Sequence, residues 1–204
     1  MTASAARNRS PERLEAFSDG VFSIAITLLV LNIRIPSGPE LLSSDALIGA
    51  LGSAWPSYLG YVVSFVSIGI IWANHHNLFR LVGRVDHWLL LANLFLLLCV
   101  GLVPFTTALL ASTIAGPAQQ VGVLVYAGSF VAIAVAFNVL WKRARLVLRA
   151  DADPAAVEAI NRSYRLGIPG YLAAFVAAIF SPALSLAIII GLVILYVLPS
   201  SSGA

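Results

Sequence analysis

Charge is scarce in this chain of 204 residues: Asp, Glu, Lys and Arg make up 10 % of it, against roughly 25 % in an ordinary soluble domain. Lys and Arg number 12 and Asp and Glu 9, too few to coat a soluble domain of this size. Cysteine is nearly absent. Cys99 stands alone, which excludes a disulfide framework, and no basic neighbour activates it as a nucleophile. The chain also lacks a Gly-x-x-x-x-Gly-Lys phosphate loop and a Gly-x-Ser-x-Gly nucleophile turn. These absences argue against an enzyme. What is plentiful is apolar: 60 % of residues, with a mean hydropathy of +0.94. Such a chain buries too much apolar surface to stay disordered in water. The composition is that of an all-α, polytopic membrane protein.

The uncharged runs place the helices. No Asp, Glu, Lys or Arg occurs from Ala46 to Phe79, from Trp88 to Trp141, or from Leu166 onward. A span needs about 20 apolar residues to cross ~30 Å of hydrocarbon. The first run holds one long helix, the second holds two with a break at Gly116-Pro117, and the third holds two short ones divided at Ser181-Pro182. A further apolar segment, Phe17 to Ile33, is opened by Ser10-Pro11-Glu12, a cap, a first-turn proline and an acid. Six helices result, over about 11–34, 46–79, 86–114, 118–148, 155–180 and 182–199, in one domain spanning 1–204. A signal peptide is a poor alternative for the first of them. Arg7, Arg9 and Arg13 supply a basic flank, but Asp19 interrupts the core and Asn32-Ile33-Arg34 is a poor cleavage site.

Eleven of the twelve cations fall near the N-terminus or in the loops near 80–87 and 142–165, leaving only Arg34 on the other side. The positive-inside bias predicts that both termini are cytoplasmic. It also explains the basic balance through lipid headgroups, without nucleic acid. A helix start is expected at Asp153-Pro154. Alanine-rich, arginine-over-lysine usage fits a bacterium, and hence a bacterial cell membrane.

Polar groups inside membrane segments are the functional candidates. The first helix holds Arg13, Glu15, Phe17-Ser18-Asp19-Gly20, Ser23, Thr27 and Asn32. At about 100° per residue, Phe17, Leu28 and Leu31 lie within about 40° of Ile24, with Thr27 about 60° away at the stripe's edge and Asp19 about 140° away. Composition alone leaves that stripe as a lipid-facing or bundle-core surface. A second group lies near the end of the second helix: Trp72, Asn74, His75 and His76. Adjacent helical histidines diverge by about 100° and cannot readily share one metal ion, unlike an i, i+4 pair. Pairing of one of them with Asp19 or Ser18 is expected instead, with Trp72 packing and donating its N–H. No metal or other cofactor is implied. Gly20, Gly60 and Gly69 are candidates for close helix approach.

Arg13-Leu-Glu-Ala-Phe17-Ser18-Asp19-Gly20, running into Val21-Phe-Ser23-Ile24-Ala-Ile-Thr27-Leu28-Leu-Val-Leu31, resembles the Arg-x-x-x-Phe-Ser-Asp signature of the transmembrane protein 175 family. Ile71-Trp72-Ala-Asn-His75-His76-Asn-Leu-Phe79 is similar to that family's second helix. The resemblance implies a potassium-permeable channel, a homotetramer of six-helix subunits whose first helices line a central pore. The Thr-Val-Gly-Tyr-Gly filter of ordinary potassium channels is absent from this chain. By the resemblance the constriction is a set of apolar rings at Ile24, Leu28 and Leu31, with Thr27 and Ser23 shaping ion preference. Arg13, Phe17, Ser18, Asp19, Trp72 and His75 or His76 would support the first helix. The implied partners are potassium ions, sister subunits and membrane lipids. The rival is a proton-coupled secondary transporter that uses Asp19 with His75 or His76; it lacks the inverted repeats and broken midplane helices of typical carriers.

Overall fold

The computed structural model describes residues 11–198, apart from the side chains of 163, 165 and 166. Arg7, Arg9, the Ser10 cap and the serine-rich tail lie outside the described residues. Proline and capping side chains set most of the element boundaries. Helix α1 (Pro11–Leu28) opens on its proline with Glu12 in the first turn, and a 3₁₀ turn, Leu29–Asn32, follows it. A second 3₁₀ turn, Gly38–Leu41, carries a capping box between Ser37 and Glu40. Then come α2 (Ser44–Ser53), α3 (Trp55–Phe79), α4 (His87–Gly101), α5 (Val103–Thr113), α6 (Gln119–Ala144), α7 (Pro154–Phe180) and α8 (Pro182–Val197). Ser43, Asp86, Asp153 and Ser181 each accept a backbone N–H at a helix start. The expected start at Asp153-Pro154 and the divisions at Gly116-Pro117 and Ser181-Pro182 are where the chain breaks.

Four boundaries differ from those read in the sequence, one of them the end of α6, which stops at Ala144 and not at 148 because the following residues pair with the loop after α3. The run 46–79 forms two helices, because Pro56 lacks an N–H and crowds the preceding turn, so α2 ends and α3 restarts around Ala54. Pro104 does the same to 86–114, dividing it at Leu102 into α4 and α5. The first segment leaves α-geometry at Leu28 and not at 34. Its tighter last turn closes with Ile33 N–H donating to the Val30 carbonyl at 3.1 Å.

Five helical segments among the described residues are long and apolar enough to cross a membrane: Pro11–Asn32, Trp55–Phe79, His87–Thr113, Gln119–Ala144 and Pro154–Phe180. Helix α8 is equally apolar but has 16 residues. Helix α6 is the hub and packs against α4, α5, α7 and α8, while α1 rests on α3 and α4. The core runs through Phe22, Ile68, Leu96, Tyr126, Phe130 and Ile189, all buried. Between α3, α5 and α6 the Ser64 hydroxyl bridges Thr107 (2.7 Å) and Tyr126 (2.9 Å), so three buried hydroxyls satisfy one another. Of the three glycines expected to allow close approach, Gly60 does so, since a Cβ there would sit 3.2 Å from the Thr107 methyl. Gly20 and Gly69 face open space in the single chain.

The loops after α3 and α6 are tied together. Gly83 N–H donates to the Val147 carbonyl and Arg149 N–H to the Leu81 carbonyl, both at 2.9 Å. The backbones approach so closely that a Cβ at Gly83 would lie 3.1 Å from the Arg149 Cα. Arg143 reaches Asp86 at 3.2 Å across the same end of the bundle. Beside it, Arg149 hydrogen-bonds Asp151 and holds that carboxyl below the ordinary carboxylate range.

Candidate functional site

Helix α1 has two unlike faces. Leu14, Ser18, Phe22 and Ala25, continued by Leu29, are buried against the rest of the chain. On the other side Phe17, Ile24, Leu28 and Leu31 are 54, 60, 43 and 75 % exposed, with Ser23 and Thr27 exposed beside them. The stripe drawn from residue spacing is therefore the face this chain leaves uncovered. The Thr27 hydroxyl donates to the Ile24 carbonyl at 3.0 Å. With its proton so used, its oxygen lone pairs remain as acceptors on the exposed side.

The buried face is anchored by polar contacts at two depths. In the inner layer His75 is fully buried and its Nε2 lies 2.8 Å from Asn93 Oδ1. Asn93 Nδ2 donates to the Ser18 hydroxyl at 2.9 Å, and Ser18 donates in turn to the Leu14 carbonyl at 2.8 Å. This direction of donation puts the imidazole proton on Nε2. The ring lies against Phe79, centroids 4.4 Å apart, and meets Phe22 edge-on at 5.3 Å. The outer layer is a ladder of two pairs: Trp72 Nε1 donates to Asp19 Oδ1 at 2.8 Å, and His76 Nδ1 lies 2.7 Å from Glu15 Oε1. Glu15 and Asp19 are one turn apart on α1, as are His76 and Trp72 on α3, and the crossed order of the rungs makes the two helices antiparallel. Trp72 also stacks on His76, centroids 6.3 Å apart.

The structure thus brings together Ser18, Asp19, Trp72, His75 and His76, and assigns the inward position to His75. The acid that meets His76 is Glu15, not Asp19, and the link from His75 to Ser18 runs through Asn93. Sequence reading passed over Asn93, although an amide amid the apolar run from Trp88 to Gly101 is itself a signal. Arg13 is not part of the cluster. It is exposed, stands about 120° round the helix from Asp19, and makes no hydrogen bond or ion pair among the described residues. Phe17 lies on the uncovered face, away from the network. No group of three or more His, Cys, Asp or Glu side chains that could hold a metal ion occurs among the described residues.

Residues 13–104 match the family described as endosomal/lysosomal potassium channel TMEM175. A protein of Chamaesiphon minutus named a potassium channel is 46 % identical over 193 residues, covering 93 % of this chain and 95 % of that one. The chain belongs to the TMEM175 family. A Streptomyces collinus protein, also named a potassium channel, is 44 % identical over 181 residues, 86 % of this chain and 85 % of its own length. A crystal structure described as that of a lysosomal potassium-selective channel TMEM175 homolog from Chamaesiphon minutus superposes with a TM-score of 0.83 at 45 % identity, over 92 % of this chain and 96 % of that one. The Danio rerio endosomal/lysosomal proton channel TMEM175 is 44 % identical over 100 residues, 47 % of this chain but 19 % of its own. In this TMEM175 chain the family match runs from α1 into the start of α5 and so contains the uncovered stripe and every residue of the two polar layers.

Proposed function

We propose that the chain is a subunit of a potassium-permeable cation channel of the bacterial cell membrane, in which four copies surround a pore lined by α1. The observation that carries this reading is the two-faced first helix: one side tied to α3 and α4, the other an uncovered row of Phe17, Ile24, Leu28 and Leu31 edged by the Ser23 and Thr27 hydroxyls. One helix cannot enclose a pore, so a closed ring of copies is required. The potassium-channel names of relatives at 46 and 44 % identity support the ion, and the family resemblance supports four copies. Helix α8 is the sixth span, with both termini cytoplasmic by the distribution of basic residues.

In this reading Ile24, Leu28 and Leu31 form stacked apolar rings that shed water and block ions until α1 moves outward or rotates. Ser23 and Thr27 supply partial hydration beside the narrowest ring. Conduction is passive and needs no cofactor. With no oxygen cage to replace the hydration shell, selectivity is modest and depends on the Thr27 layer. The test is ion flux from proteoliposomes under opposing potassium and sodium gradients. Replacing Thr27 by Ala is expected to weaken potassium-over-sodium preference, read as a reversal potential shifted toward zero; an unshifted potential removes Thr27 from selectivity.

A proton-coupled carrier would depend on Asp19. In the chain Asp19 accepts from Trp72 and His75 bonds Asn93, so no direct hydrogen bond joins the carboxylate to either histidine. Asp19→Asn keeps an oxygen for the Trp72 N–H and is expected to leave potassium flux within about threefold of wild type, since the loss is of a partly exposed charge-assisted bond worth below about 1 kcal/mol. Abolished flux in a folded assembly favours the carrier.

A further inference from the structure

Behind α3, on the side away from α1, lies a cavity of about 60 Å³ between α3, α6, α7 and α8. It is not sealed, so an occupant larger than the enclosed space can extend out of it. Most of its wall is apolar, including Phe130, Ile133 and Phe137. Several polar side chains in that wall have unmet hydrogen-bonding capacity. The Tyr164 hydroxyl is buried and has no hydrogen-bond partner among the described residues. Asn74 makes no hydrogen bond among the described residues, and Asn138 spends only its Nδ2, on the Ala134 carbonyl at 2.9 Å. A buried hydroxyl left without a partner is unfavourable, so a ligand that supplies one gains what the empty site forgoes.

Among the described residues the lining holds no Asp, Glu, Lys or Arg. A cation or an anion would enter without a counter-charge, which a membrane interior penalises heavily. An apolar wall with a few convergent polar groups is the chemistry of a small-molecule site. We propose that this cavity binds a small neutral amphiphile, an alkanol or phenol, with its hydroxyl on Tyr164 and its tail against the phenylalanines. The smaller cavity beside Tyr126, about 20 Å³, offers no such reward, because that tyrosine already bonds Ser64.

The position gives the occupant leverage. Ser67, Ile71 and Asn74 line the cavity from α3, while Trp72, His75 and His76 of the same helix hold α1 and α4. A bound molecule braces α3 from behind and so alters how firmly α1 is held. This second step rests on the channel reading above; the binding itself does not.

The probe is a photoreactive diazirine analogue of octanol, applied to the purified protein in lipid nanodiscs, with labelled residues mapped by mass spectrometry and plain 1-octanol as competitor. Saturable labelling of the cavity wall, displaced by octanol, is expected. Ala134→Phe fills the space and is expected to abolish it. Tyr164→Phe removes only the unpartnered hydroxyl, keeps the fold, and is expected to weaken octanol competition by about three- to tenfold, the value of one hydrogen bond. Labelling spread over the lipid-facing surface without competition, or unchanged competition in Tyr164→Phe, overturns the site. In flux assays octanol is expected to change potassium flux in wild type and not in Ala134→Phe. Competed labelling without any flux change overturns the coupling to α1 and leaves the site standing, whereas a wild-type protein that conducts nothing without octanol overturns the channel reading instead.

Discussion

Replacing Ile24 by Asn is expected to raise potassium flux by about tenfold, the effect of lowering the barrier at the constriction by about 1.4 kcal/mol. Ile24 is 60 % exposed in the single chain and points away from every helix that α1 packs against, so the change removes no internal contact of consequence. In the proposed ring four isoleucines meet across the axis, and four amides in their place offer water and the ion hydrogen-bonding partners. The same geometry separates this from a folding effect: the buried face of α1, through Leu14, Ser18, Phe22 and Ala25, is untouched. Flux is read from liposomes loaded with potassium, alongside size-exclusion of the assembly. Unchanged or lost flux in an intact assembly removes Ile24 from the gate.

The second large effect is expected at Asn93. Asn93→Leu keeps similar volume but takes away both the acceptor of His75 and the donor to Ser18. His75 Nδ1 already has no partner among the described residues, so the substitution leaves a fully buried imidazole with neither nitrogen satisfied. Hydrogen bonds between membrane helices average about 0.6 kcal/mol, but orphaning a buried polar group costs about 1–3 kcal/mol. The second effect dominates here, and a destabilisation of about 2–3 kcal/mol is expected in denaturant titrations of the purified protein. Adding His75→Phe to Asn93→Leu removes the orphan and is expected to restore part of the loss. A double variant no more stable than Asn93→Leu alone would show that the imidazole is not the source of the cost.

These two sites differ in how readable they were. The face of Ile24, Leu28 and Leu31 follows from residue spacing alone, because an α-helix of known pitch fixes which side chains share a side. That this face is uncovered needed the other helices in place. The choice between His75 and His76 was open for the same reason: both sit on one helix, and only the position of α4 decides which meets an amide and which meets Glu15. Asn93 was overlooked because a single amide in an apolar run carries no spacing pattern, only a solvation cost. The charge-free runs located the helices, yet Pro56 and Pro104 divided two of them, and runs of hydrophobicity are blind to a missing N–H. Beyond the α-helical part of the first segment, the Asn32 side chain donates to the Pro104 carbonyl at 2.7 Å, a contact across 72 positions that no local pattern signals.

Thiol chemistry at one position reaches the pore most directly. Cys99 is the chain's only cysteine and is buried, so Cys99→Ala provides a clean background. In that background Ile24→Cys is to be treated with a charged methanethiosulfonate, with Leu94→Cys on the outer face of α4 as the control (Leu94 is 41 % exposed). Modification at position 24 is expected to abolish or sharply alter potassium flux, and modification at position 94 to leave it unchanged. Complete modification at 24, verified by mass, with flux identical to that of the untreated protein would contradict a pore lined by α1.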